Sequence, residues 1–386
     1  MKQIKTDQDL AINGAAPAFD QPLHVGRPNM GDRETFLDYV NEIFDRRWFS
    51  NNGPCVQTFE KQLAEQLQVK HCIAMCNGTI ALEIAIRALG LTGEVIVPSY
   101  TFIATAHALQ WQQITPVFAD INPQTHTLDS DAVRKMITPR TSGIIGVHLW
   151  GRPCDVDGLQ KIADEYGLQL MFDAAHAFSC SHQGKMIGNF GRCEVFSFHA
   201  TKFFNTFEGG MVATNDDELA KQIRLMQNFG FSGVDNVIYP GTNGKMNELS
   251  AAMGLTGLQS IDQFMQSNQK NYQHYQEGVA NISGLSLVEY NPDEKNNYQY
   301  IVVEVSEEFP LNRDELVDVL RAENILARKY FWPGCHNMEP YCSLYPHAGL
   351  MLPMTKQLAD RVMVLPTGTT MTICSLDVIL NIMKKV

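Results

Sequence analysis

Glu194-Val195-Phe196-Ser197-Phe198-His199-Ala200-Thr201-Lys202 is a short apolar, aromatic run that ends in a lysine. Its first five residues have the length and composition of a buried strand, and Lys202 stands just past the strand end. Gly209 and Gly210 follow and let the chain turn sharply before another apolar run, Met211–Thr214. Upstream, similar runs occur at Cys72–Cys76, Glu94–Pro98, Thr115–Ala119, Gly143–Leu149 and Gln169–Phe172. Helix-period segments fall between them, at Thr79–Leu89, Thr101–Gln110 and Asp155–Tyr166, with Asp217–Phe229 after the last strand. Strands alternating with helices predict an α/β fold, a mainly parallel sheet covered on both faces. Ligands of such sheets collect beyond the carboxyl ends of the strands, which is where Lys202 stands.

A chain of 386 residues accommodates two or three domains. From Leu255 to Val279 the pattern is that of one long polar connecting helix. Beyond it come a strand, Tyr298–Val305, a helix, Asn312–Glu323, and a loop-rich stretch around Trp332–Leu352. The expected organisation is a large domain over residues 1–275 and a smaller C-terminal α/β domain over 276–386. The formal net charge of −12 argues against nucleic acid as a partner. A phosphate-bearing ligand then needs local cations or backbone amides. Nine scattered cysteines, no secretory leader and no apolar run long enough for a bilayer predict a reduced, cytoplasmic setting without membrane contact.

Four elements carry chemistry. A lysine at a strand end among apolar and hydroxyl residues becomes a usable nucleophile and base when burial lowers its pKa. Alone, Lys202 reads equally well as a lysine snorkelling at a sheet edge. Asp173 ends the run Leu170-Met171-Phe172, putting a carboxylate at the carboxyl end of a core strand. Alone it reads as a helix cap. Together, a strand-end carboxylate and a strand-end lysine suit pyridoxal 5′-phosphate, whose ring nitrogen is kept protonated by the one and whose aldehyde is bound by the other. His176 is placed to lie against the ring. The turn Cys76-Asn77-Gly78-Thr79 opens a helix with free amides, a ready phosphate site, and Phe102 stands past another strand end where it can cover a planar ring. Cys335, His336, Cys342 and His347 fit no standard zinc spacing, so no metal is expected.

The run His199-Ala200-Thr201-Lys202-Phe203-Phe204-Asn205-Thr206-Phe207-Glu208-Gly209-Gly210 resembles the Schiff-base segment of the DegT/DnrJ/StrS sugar aminotransferases. Trp48–Pro54, Asn77–Thr79, Asp173–Ala177 and Gly241–Glu248 resemble that family's entry motif, phosphate turn, ring-binding motif and partner-crossing segment, in the same order. The stretch Trp332–Tyr341 with the His-Ala-Thr-Lys-Phe-Phe-Asn form is most similar to the dTDP-4-amino-4,6-dideoxyglucose transaminases within it. The resemblance implies the aspartate-aminotransferase fold (fold type I) and a homodimer with shared active sites. It implies Lys202 as the cofactor lysine, Asp173 on the pyridine nitrogen, and His176 beside the ring. Gly78, Thr79, Ser197 and Asn243 of the other subunit would hold the phosphate, with Phe102 stacked on the ring. The substrates implied are L-glutamate and a nucleotide-linked keto sugar destined for a surface polysaccharide. Arg328 and Lys245, with Arg27 and Lys329, are candidates for the sugar's diphosphate, and Tyr330 and Trp332 for its sugar or base. The competing expectations are a 3-aminotransferase or UDP-sugar specificity, a sugar dehydratase, which the presence of Lys202 weighs against, and a non-catalytic cofactor-binding regulator. A Rossmann oxidoreductase would need a GxGxxG turn that the chain lacks.

Overall fold

Seven of the apolar runs pair into one sheet in the computed structural model, which describes residues 4–386. They are β1 (His71–Met75), β2 (Glu94–Pro98), β3 (Thr115–Ala119), β4 (Thr141–Val147), β5 (Gln169–Asp173), β6 (Glu194–Ser197) and β7 (Gly210–Thr214). The spatial order is β1-β7-β6-β5-β4-β2-β3. Only β7 runs against its neighbours, β1 and β6; the other pairings are parallel. Helices Gly78–Ala88, Ala104–Gln110 and Asp217–Met226 cover one face through Leu82, Ile86, Leu109 and Ile223. Helices Pro54–Leu67 and Glu248–Gln259 cover part of the other, with Phe59 and Leu255 in its core. Burial on both faces explains why these strands are apolar throughout rather than alternating.

Beyond the sheet, Leu285–Leu287, Ile301–Val305 and Val362–Leu365 form an antiparallel three-stranded sheet. Helices Arg313–Ala322 and Ile373–Lys385 pack with it around Leu316, Leu320, Ile379 and Met383. The N-terminal segment belongs physically to this unit: Leu23 and His24 pair with Ile325 and Leu326, and Ile4 and Leu10 enter its core. An aromatic seam joins the two sheets. Trp150, just past β4, stacks on Phe331 at 5.3 Å and meets Tyr300 edge-on at 5.2 Å.

Two sequence expectations need correction. The long helix expected over 255–279 is two, Glu248–Gln259 and Ile261–Val279, which meet at Ser260. The first is buried nearly all round because Gly254 and Gly257 let Phe59 and Phe204 lie against its backbone; a Cβ at Gly254 would stand 2.6 Å from the Phe59 ring. Only the second has the amphipathic pattern of a surface helix. The helix expected from Thr101 begins at Ala104, which leaves Thr101 and Phe102 in the loop at the end of β2.

Candidate active site

β5 and β6 are parallel neighbours, with Asp173 opposite Val195, so Asp173 and the segment leading to Lys202 leave the sheet at the same edge. Both residues line one cavity of ≈ 480 Å³, within the ordinary range for a small-molecule site. Lys202 has no hydrogen-bond or ion-pair partner for its amine among the described residues, and burial pushes it down to about 8 against the opposing pull of Asp173. Asp173 is 6% exposed. One carboxylate oxygen accepts the Thr105 hydroxyl at 2.8 Å and the other the Ala175 amide at 3.0 Å. No helix follows Asp173, so it caps a turn rather than a helix. Burial raises its pKa, and Thr105, Ala175 and the Lys202 charge work against that rise.

His176 lines the same cavity. Its Nδ1 accepts the Trp150 amide at 3.3 Å, so the neutral ring carries its proton on Nε2. Burial, then the charge of Lys202, holds it well below the usual histidine range, and it stays neutral. Asn77 caps the helix Gly78–Ala88 by accepting the Ile80 amide at 2.8 Å. Gly78 and Thr79 then present helix-end amides that donate to no atom among the described residues, so one turn carries both a cap and amides free to bind an anion. Ser197 closes this corner: a Cβ at Gly78 would lie 3.1 Å from the Ser197 Cβ, and one at Gly210 would lie 2.7 Å from the Gly78 nitrogen. Phe102 is 56% exposed at the rim of the cavity, with Tyr330 and Phe331 also in the lining.

The other candidates lie elsewhere. Arg328 lines a second cavity that shares Thr201, Tyr300 and Tyr330 with the first; its guanidinium lies 4.8 Å from the Tyr330 ring centroid. Lys329 is held by Asp314 at 2.8 Å, and Arg27 is exposed. Lys245 does not line its own chain's cavity: it donates to Asn228 at 2.8 Å and sits over the Phe229 ring. Asn243 is exposed and Trp332 is half-exposed, and neither lines that cavity. No cluster of three or more metal-ligating side chains exists among the described residues; the His336 Nδ1 is engaged by Ser99 at 2.7 Å.

Sequence reading missed the residues that hold these groups in place. Thr105 belongs to the run Thr101-Phe102-Ile103-Ala104-Thr105, whose i, i+4 hydroxyl spacing is a usable signal. Asn29 has none. It is 2% exposed and donates to the Phe203 carbonyl at 2.9 Å. It also accepts the Thr369 amide and hydroxyl, and Asn205 donates back to its carbonyl. Gln299 accepts the Phe203 amide from the other side. The peptide after Lys202 is thus gripped from the N-terminal segment and the C-terminal unit together. Asn29→Ala leaves the buried Phe203 carbonyl without its donor and removes the acceptor of the Thr369 amide and hydroxyl, and is expected to cost about 1–3 kcal/mol of stability. Urea unfolding followed by circular dichroism checks this.

This donor set fits pyridoxal 5′-phosphate, the cofactor of sugar aminotransferases. There is a free amine of lowered pKa, a buried carboxylate held by two donors, a neutral imidazole, and an amide-and-hydroxyl corner for a phosphate. The DegT/DnrJ/EryC1/StrS aminotransferase family model matches residues 31–384. A dTDP-4-amino-4,6-dideoxy-D-glucose transaminase of Shigella dysenteriae is 36% identical over 367 residues, covering 95% of this chain and 100% of that protein. A GDP-perosamine synthase of Caulobacter vibrioides (strain ATCC 19089 / CIP 103742 / CB 15) is 35% identical over 83% of this chain and 87% of its own length. The structure of DesI in the presence of its TDP-sugar product superimposes with a TM-score of 0.93 at 48% identity, covering 98% of this chain and 96% of that one. A lysine and an aspartate on neighbouring strand ends, in a fold and sequence shared along almost the whole chain, make this protein a member of the DegT/DnrJ/EryC1/StrS aminotransferase family.

Proposed function

We propose that this enzyme transfers an amino group from L-glutamate to C4 of dTDP-4-keto-6-deoxy-D-glucose, giving dTDP-4-amino-4,6-dideoxy-D-glucose. The observation that carries the reading is the single cavity shared by Lys202 and Asp173, in a chain 36% identical to a transaminase named for that amino sugar. Bound there, pyridoxal phosphate supplies an electron sink for the carbanion formed beside the nitrogen. Asp173 keeps the ring nitrogen protonated. Lys202 would hold the cofactor's aldehyde carbon, and its amine of lowered pKa would serve as the base and acid that moves a proton at the substrate carbon. His176 offers its Nε2 proton to the ring's oxygen side. Gly78, Thr79 and Ser197 bind the phosphate, and Phe102 covers the ring.

The active unit in this reading is a cytoplasmic homodimer. Exposed aromatic rings support it: Phe102 at the cavity rim, with Phe207 and Phe229 elsewhere on the chain, are all half-exposed. The described cysteines are all free thiols, as a reducing compartment requires, and no helix among the described residues is long and apolar enough to cross a membrane. Asn243 would reach the phosphate from the second subunit. A surface polysaccharide is the natural destination of the amino sugar.

Arg328 is the candidate for the diphosphate. Its side chain makes no hydrogen bond or ion pair among the described residues, and its cavity shares Thr201, Tyr300 and Tyr330 with the catalytic one. Arg328→Ala is expected to raise the KM for the nucleotide sugar about 10–100-fold, the size of one charged hydrogen-bonding partner, with the KM for glutamate unchanged. Steady-state kinetics with each substrate varied in turn checks this.

The deciding experiment incubates cofactor-loaded enzyme and glutamate with dTDP-4-keto-6-deoxy-D-glucose, its 3-keto isomer, and the UDP- and GDP-linked 4-keto sugars. NMR of the products reads nucleotide preference, ring position and configuration. Preference for the 3-keto isomer would overturn the C4 assignment. Preference for the GDP sugar would align the enzyme with its perosamine-synthase relatives instead.

A further inference from the structure

The helix Ala104–Gln110 follows β2, and Asp173 ends β5; β4 lies between those two strands. Even so, a side chain of that helix reaches across. The Thr105 Oγ1 donates to Asp173 Oδ2 at 2.8 Å, with both residues buried and Thr105 fully so. One turn earlier, Thr101 Oγ1 lies 3.3 Å from Thr105 Oγ1. Thr101 lines the cavity, whereas Thr105 stands behind it and touches no ligand space. The other Asp173 oxygen has the Ala175 amide, so among the described residues Thr105 is the only side-chain hydroxyl or amide donor to this carboxylate.

We propose that Thr105 is a positioning residue for the reaction: its hydroxyl fixes the rotamer of the Asp173 carboxylate and supports its charge, so that the remaining lone pairs aim at the cofactor ring nitrogen. This rests on the role given to Asp173 above. The chemistry of the site makes the donor matter. A carboxylate carried into a dry strand end loses hydration and is favoured in its neutral form, which cannot hold a protonated pyridine. The groups facing it do not fully compensate. Lys202 comes from the loop after β6 and favours the charged form. His176 is kept neutral. His148, past β4, has its Nε2 engaged by buried Glu194 of β6 at 2.8 Å. The Thr105 hydroxyl is the largest of the influences opposing burial.

The sign follows. Removing the Thr105 donor favours the protonated carboxyl, so Asp173 takes up its proton at a higher pH. The acidic limb of the kcat/KM profile then moves to higher pH, and the cofactor is held less tightly.

The test compares Thr105→Val, which keeps the shape and loses the donor, with Thr105→Ser, which keeps the donor. Two quantities are read: pyridoxal phosphate affinity, from absorbance titration of cofactor-free protein, and the pH profile of kcat/KM. The valine chain is expected to bind the cofactor about tenfold or more weakly, as loss of one hydrogen bond to a charged group implies, with its acidic limb displaced upward. The serine chain is expected to keep the wild-type values in both. A merely structural role would lower stability without moving the acidic limb. If the valine chain does not fold, Thr105→Cys, near in volume and a poor donor, replaces it. Wild-type affinity and an unmoved acidic limb in a folded valine or cysteine chain would overturn the inference while leaving the proposed function standing. Wild-type protein that takes up no cofactor would overturn both.

Discussion

Lys202→Ala is expected to abolish amine transfer, lowering kcat by at least about 10³-fold, since the proposed function gives this one side chain both covalent attachment and proton transfer. The structure offers no substitute. Among the residues lining the cavity, His176 is neutral with its Nδ1 occupied, and His199 is turned toward Thr201 and Glu208. The Lys202 amine makes no hydrogen bond or ion pair among the described residues, so truncating the side chain leaves no hydrogen-bond partner unpaired and the fold should survive. The absorbance that marks lysine-bound cofactor should vanish, while pyridoxal phosphate still binds through the phosphate corner and Asp173. Retained turnover in the alanine chain would remove Lys202 from its role. A pH dependence follows from the same environment. With its amine at about 8, Lys202 is neutral in a tenfold larger fraction for each pH unit gained below that value. The rate of cofactor attachment to cofactor-free protein should rise with pH and level off above about 8. Stopped-flow absorbance measures it, and a flat profile between pH 6 and 8 would contradict the placement of the amine.

Asp173→Asn is expected to lower kcat by about 10²–10³-fold, the scale of removing one preorganised electrostatic partner. The change is nearly isosteric. The asparagine oxygen can still accept the Ala175 amide, and its NH₂ can donate to the Thr105 oxygen, so the buried network closes and folding is preserved. What is lost, on the role proposed for Asp173, is the negative charge that would keep the ring nitrogen protonated. The cofactor should still attach to Lys202, and its weakened electron demand should show in the chemical step. Single-turnover conversion with glutamate separates the two, with a near-normal attachment spectrum and slow conversion expected. Rapid conversion in the asparagine chain would mean that another group holds the ring nitrogen.

These two residues are legible in the amino-acid sequence because each ends an apolar run, and a parallel sheet delivers all such ends to one edge. The phosphate turn is legible for a related reason: Asn77-Gly78-Thr79 combines a cap with free amides at the start of one helix. The break at Ser260 is not legible. Helix periodicity continues through it, and the difference between the two halves lies in which rings of distant segments, Phe59 and Phe204, press on Gly254 and Gly257. Lys245 fails to reach its own chain's cavity because a polar neighbour, Asn228, captures its amine, which charge and position in the chain do not reveal.

The amino-acid sequence by itself determined the α/β architecture and the sheet edge to which Asp173 and the Lys202 segment are delivered, because strand length, apolar content and the residues that follow a strand are local properties of the chain. The tertiary structure alone decided how that pair is held. Thr105 crosses from the helix after β2 to β5, and Asn29 joins the N-terminal segment, the Lys202 loop and Thr369. Those hydrogen bonds link residues 68, 174 and 340 positions apart, and side-chain geometry over such separations is set by packing of the whole core rather than by any stretch of sequence.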